Sequence, residues 1–343
     1  METRQGRTAK TGYSEDFAPG VVEGAPDHHF AANESDRLER ELASYDAVVA
    51  RFGDAPEAAL RQEVARAMFN SGVTLGELDR REEELAVYEE VQVRFGDAPE
   101  ATVRELIAGA MLNKACALGE LDRREEELAV YEEVQVRFRD APEAALPVAM
   151  ALVNRGVQLG DLGRVKEALA NWDEVVARFG EAPEADLREW VAAALTNKGV
   201  TLGRLDRSEE AIAAYDEVLA RFDNDRAPAR REEVAQALLN KGVRLGQLSR
   251  VEEELVNYDD VVARFGDAPE PKLRRAAAMA LLNKGMALAK VDRSEDAIIA
   301  YDDVVARFGD SPEPELRAQV AKALVAKGHA IQGGPQRPGV MPD

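Results

Sequence analysis

The chain has 343 residues, 45% apolar and 32% charged, with aromatics at 6%, a balance that suits a soluble, helix-rich fold. Its net charge of −21 argues against nucleic acid and anionic membranes, because phosphate binding needs clustered Lys and Arg; a basic partner fits this charge better. The one cysteine, Cys116, excludes an intramolecular disulfide and suits a reducing, cytoplasmic setting.

In chain order, the opening METRQGRTAKTGYSEDFAPG lacks the apolar core of a signal peptide. Residues 1–32 and the tail 332–343 are expected to be disordered, being rich in Gly, Pro and polar residues. Between them, residues 33–331 read as one helical array. A lone first helix is expected over about Asp36–Phe52, because the preceding APGVVEGAPDHHFAAN is too rich in Gly and Pro to supply a full helix. Six helix pairs should follow, and a capping helix from Pro312 to about Ile331 should close the array. No stretch approaches the length of uninterrupted apolar residues that a membrane span requires.

The pairs show themselves as a period. Asparagines fall at Asn70, Asn113, Asn154, Asn197, Asn240 and Asn283, at intervals of 43, 41, 43, 43 and 43. An aromatic recurs at Tyr45, Tyr88, Tyr131, Trp172, Tyr215, Tyr258 and Tyr301, each followed seven places later by a phenylalanine. Gly76–Phe95 is repeated letter for letter at Gly119–Phe138. A period of this size is the signature of stacked supersecondary units.

Within one unit, Val191, Leu195, Gly199 and Leu202 share a helical face. After the polar turn RLDRSEE, residues Ala211, Ile212, Tyr215, Val218, Leu219 and Phe222 form a second stripe. Units join through RFGDAPE and its variants, where Pro56, Pro99, Pro142, Pro183, Pro269 and Pro312 suit the first helical position. The Glu after each proline suits the positive end of the helix dipole.

These residues resemble the tetratricopeptide repeat. That family carries a small residue at its eighth position, a large one at the eleventh, a small one at the twentieth and an aromatic at the twenty-fourth. Gly199, Leu202, Ala211 and Tyr215 match this pattern. The period exceeds the family's usual length of about 34 residues, and the surplus is assigned to the first helix. The resemblance implies an all-α solenoid, a right-handed superhelix of antiparallel helix pairs. Three departures carry expectations. Glu84, Glu127 and Glu254 occupy the small twentieth position and should loosen the helix contact unless Lys114 pairs with Glu127 and Lys241 with Glu254. The third unit carries Pro147, so its first helix should begin there. The second unit has Ala115 in place of the glycine.

The resemblance also implies that the first helices line a concave groove. Asn70, Asn113, Asn154, Asn197, Asn240 and Asn283 would form a ladder in it, beside Phe69, Leu239, Val243, Leu282 and Met286. Arg204 and Lys290 would sit at its edge. An asparagine both donates and accepts, so a ladder of them can hold an extended peptide backbone; alternatively each side chain satisfies its own scaffold. The small residues at the twelfth position, mostly glycine, would leave room for that backbone. Glu77, Glu120 and Asp161 make one half of the edge acidic, against Arg204, Gln247 and Lys290 in the other.

Catalysis is not expected. The histidines are His28, His29 and His329, and none has a metal-binding spacing. Cys116 has no histidine in its stretch to activate it. Phosphate-binding and nucleophile-elbow motifs are missing, so no metal or cofactor is implied. The reading is a non-enzymatic scaffold that binds an extended segment of a protein partner. A self-assembling scaffold and a regulatory or sensor subunit of a separate effector enzyme, as in bacterial relatives, are the alternatives.

Overall fold

The computed structural model describes residues 28–223 and 227–333, so most of both expected tails lies outside the described residues. Every described regular element is a helix. The chain forms two compact units, divided between Leu187 and Arg188.

The first unit begins with α1 (His28–Phe52), which starts at His28, not at the expected Asp36. Its first turns, His28 to Ser35, contain neither Gly nor Pro, so nothing stops the helix extending back to the last proline. Then come α2 (Ala58–Glu77), α3 (Arg81–Phe95), α4 (Ala101–Glu120), α5 (Arg124–Arg137), α6 (Ala145–Asp161) and α7 (Val165–Phe179). Each helix packs on the next, and α2 on α4 and α4 on α6 as well. This is the layering of an α-solenoid.

The second unit repeats the plan. Helix α8 (Ala185–Arg204) starts just before its border. It is followed by α9 (Ser208–Phe222), α10 (Pro228–Gln247), α11 (Val251–Phe265), α12 (Pro271–Lys290), α13 (Ser294–Phe308) and α14 (Pro314–Gly333). Here α10 also packs on α12, and α12 on α14. The closing helix thus begins two residues after the expected Pro312.

Pro142 opens a 3-10 turn as expected, but the other five linker prolines lie just outside the helices. Helices α2, α4, α8, α12 and α14 begin two residues after Pro56, Pro99, Pro183, Pro269 and Pro312. The first-turn prolines are instead Pro228 and Pro271 and Pro314. The residue after each linker proline does stand at the helix entrance: Glu57, Glu100 and Glu270 occupy N-cap positions in extended backbone. Extended geometry is what the following helix needs from its cap. In the third pair a 3-10 turn over Pro142–Ala144 leads into α6, which starts at Ala145 and not at the expected Pro147. Pro147 is the third residue of α6, where the missing N–H would have had no intrahelical acceptor.

One contact builds every pair. The aromatics Tyr88, Tyr131, Trp172, Tyr215, Tyr258 and Tyr301 are each at most 2% exposed. All but the Tyr131 ring, whose counterpart is Ala115, lie on the eighth-position glycine of the preceding helix. A Cβ built on Gly199 would stand 2.4 Å from the Tyr215 ring, and one on Gly285 2.4 Å from Tyr301. Losing such an aromatic costs roughly 3–5 kcal/mol. Between the helices of a pair, one residue takes left-handed backbone: Asp79, Asp122, Gly163, Asp206, Ser249 or Asp292. This residue closes the turn, as Arg80 N–H reaches Leu75 O at 2.9 Å.

Candidate peptide-binding face

The six asparagines lie on first helices and are all half-buried. Their neighbours explain this. Asn113 Nδ2 donates to Tyr88 Oη at 3.2 Å, across 25 residues. Asn70, Asn240 and Asn283 hold the same place beside Tyr45, Tyr215 and Tyr258 and favour the charged form of each phenol. Burial pushes the Tyr215 phenol up to about 12 and raises Tyr88 and Tyr258 further, so each hydroxyl stays neutral and able to accept. In Asn113 one amide N–H is therefore committed to the scaffold. The carbonyl oxygen and the second N–H complete the side chain's capacity.

The joint between the second and third repeats breaks the pattern. Tyr131 Oη meets Cys116 Sγ at 3.8 Å and Glu127, and Asn154 Nδ2 is buried without a partner. This pair is the one with Ala115 in place of glycine. A methyl under the ring has to displace it, because elsewhere the ring stands closer than a Cβ allows. Burial pushes the Cys116 thiol up to about 11, which leaves it protonated and unreactive at neutral pH.

The expected apolar lining divides. Phe69, Leu239 and Leu282 are 8%, 4% and 7% exposed. They pack into the core and present no open surface, because the fifth position turns toward the helix's own partner. Val243 and Met286 are 36% and 49% exposed. Val157 holds the same position in the third pair, is 38% exposed, and belongs with them. Arg204 and Lys290 are exposed, as are Glu77, Glu120 and Asp161. The second unit therefore presents, from α10 and α12, a row of half-buried asparagines beside Val243 and Met286. Gln236 Nε2 donates to Asn240 Oδ1 at 3.0 Å and orients that amide.

Two pairings differ from expectation. Lys114 binds Glu89 at 2.8 Å, not Glu127, and Lys241 binds Asp216, not Glu254. Arg155 binds Glu132 at 2.7 Å, and Lys284 and Lys327 bind Asp259 and Asp302. In every case the cation after the asparagine position meets the acid that follows the aromatic of the previous helix. This rule is readable in the sequence as a fixed offset, and no one pair reveals it.

The buried glutamates find other partners. Arg81 donates to Glu84 at 2.8 Å, and Gln158 donates to Glu127 at 3.0 Å. Glu254 lies beside Tyr258, which favours its charged form against the effect of burial. Room for them comes from the twelfth-position glycines. A Cβ on Gly76 or Gly119 would stand 3.0 Å from the carboxylate of Glu84 or Glu127, and one on Gly246 2.6 Å from Glu254. These glycines make room for a carboxylate of their own pair, not for a ligand's backbone.

The repeated aromatic-on-glycine seam defines a helical-repeat protein. Residues 147–224 match the tetratricopeptide repeat family model. The same seam recurs on both sides of that segment, so the described helix pairs outside it resemble the matched ones. No curated protein matches its sequence. Among solved structures, the apo form of RapI is 11% identical with a TM-score of 0.50, covering 89% of this chain and 97% of its own. A tetratricopeptide repeat protein from Parabacteroides merdae is 12% identical, with 87% and 96% covered and a TM-score of 0.43. The apo quorum sensor NprR from B. thuringiensis is 14% identical, with 89% and 84% covered and a TM-score of 0.48. At such identities the likeness is one of fold. No described helix is long and apolar enough to cross a membrane.

Proposed function

We propose that this chain is a non-enzymatic scaffold that binds an extended segment of a partner protein on the first-helix face of its repeats, α10 and α12 above all. The observation that carries this reading is the pairing of held amides with exposed apolar side chains at one repeated position. Asn240 is held by Gln236, Asn240 and Asn283 lie beside Tyr215 and Tyr258, and Val243 and Met286 stand open one helical turn further on. An amide held in advance loses little rotamer freedom on binding a peptide group. The exposed valine and methionine supply the apolar contact that such binding needs. Arg204 and Lys290 at the edge favour an acidic side chain there, and the acidic edge of the first unit favours a basic one.

The test is a peptide selected by display on the full chain, its affinity then measured by calorimetry against variants. Asn240→Ala with Asn283→Ala should weaken binding about tenfold or more, whereas Tyr215→Phe should weaken it far less. Equal losses in both, or none in either, would assign the asparagines to the scaffold alone.

A further inference from the structure

The first and last described helices carry complementary halves of the seam that holds the pairs together. Helix α14 is a first helix, and no described helix covers the face that second helices cover elsewhere. Its Leu324, Val325 and Ile331 are 52%, 60% and 60% exposed, whereas their counterparts Leu281, Leu282 and Leu288 on α12 are 3%, 7% and 2% exposed. A Cβ on Gly328 would meet nothing within 4 Å, whereas one on Gly285 meets the Tyr301 ring. The following residues 334–343 contain no aromatic to fill that notch.

Helix α1 is the opposite case, a second helix with no described first helix before it. Tyr45 is half-buried, whereas its counterpart Tyr88 is fully buried. Ser44 is exposed, whereas Val130, Asn171, Ala214, Asn257 and Ala300 at the same position are buried.

Charge fixes the register. Inside the array, Arg250 meets Glu209 at 3.2 Å and Arg293 meets Glu252 at 3.4 Å. Arg94 meets Asp54 at 3.4 Å, and Arg104 meets Glu143 at 2.6 Å. Advanced by one repeat at the chain's ends, these three relations set Arg37 against Glu295, Arg51 against Asp310, and Glu57 against Arg317. All six side chains are exposed, and a single alignment of one copy on another satisfies all three pairs. Among the described residues Arg37 has long pairs within its own helix, at 3.8 and 3.6 Å, and a Coulombic interaction with Glu77.

We propose that two copies of this chain associate head to tail, with α1 of one copy docked on α14 of the next as an additional second helix. Tyr45 then seats on Gly328, among Leu324, Val325 and Ile331. The contact is heterologous, so each copy keeps one free half of each kind and association continues past the dimer. It involves neither the asparagines nor the peptide face.

The test is sedimentation velocity of the full chain between about 1 and 100 µM. Mass should rise with concentration beyond that of a dimer. Gly328→Arg fills the notch and Ser44→Arg blocks the matching face; both sites are open, so neither change disturbs folding, which circular dichroism verifies. Each variant alone should associate about tenfold or more weakly. Mixed together, the two should form a one-to-one dimer, because each retains the half that the other lost. A wild type that stays monomeric throughout overturns the proposal. So does a Ser44→Arg variant that associates as the wild type does, since that result assigns association to α14 against α14 or to another surface.

Discussion

Asn113 Nδ2 donates to Tyr88 Oη at 3.2 Å, which ties the first helix of one repeat to the second helix of the repeat before it. The asparagine thus serves the joint between repeats as well as the surface. Removing either partner should cost about 1 kcal/mol. Tyr88→Phe and Asn113→Ala together should cost scarcely more than one alone, because both delete the same bond. Urea denaturation of the two single variants and the double variant measures the coupling.

Glu127 should make stability depend on pH. It is 2% exposed, and burial pushes its carboxyl up to about 7. The folded value lies above the unfolded one, so the folded state holds the proton more tightly. The stabilisation this gives is full at low pH and is lost as pH rises from the ordinary carboxylate range through 7. Glu127→Gln should therefore be stabilising by about 1–3 kcal/mol at pH 8 and close to neutral at pH 5. Melting temperatures of both proteins across this range provide the measurement; a constant difference would contradict it.

The aromatic-on-glycine seam predicts a steric cost. In Gly242→Ala the new Cβ would stand 2.5 Å from the Tyr258 ring. The ring has to move, and the variant should lose about 1–3 kcal/mol although alanine is the better helix former. Movement should also separate Tyr258 from Asn283, leaving Asn283 as Asn154 is now. A crystal structure of the variant, with its denaturation midpoint, tests both statements.

The turn residue offers a gain instead. Asp206 has a φ of +62°, in the left-handed region, and Gly163 serves the same turn at +76°. Asp206→Gly should stabilise the chain by about 0.5–1 kcal/mol by relieving backbone strain. Thermal denaturation shows the effect as a raised midpoint.

The helix pairs were legible because three signals coincided: the aromatic stripe, the eighth-position glycine and the polar turn. Each reports a local constraint that survives in any context. The linker prolines were misplaced because a proline suits both the first helical turn and the loop just before it. The start of α1 was missed because a Gly- and Pro-rich stretch stops short of His28. At the candidate site, the asparagine period marked the residues but not their surroundings: Asn113 bonds to Tyr88 of the repeat before it, whereas Asn154 Nδ2 is buried without a partner. Burial of Phe69, Leu239 and Leu282 depends on which way the fifth position turns, and spacing alone does not give that direction. The twelfth-position glycines were visible, but their purpose required seeing Glu84, Glu127 and Glu254 folded against them.

Among the polar ties described above, none reaches further than 41 residues along the chain, the span of Arg250 to Glu209 and of Arg293 to Glu252. The fold is therefore built from partners that leave the ribosome close together in time. Little loop-closure entropy stands in the way of any single contact. A repeat can complete its seam as soon as its second helix and the next first helix have emerged, while the rest of the chain is still unmade.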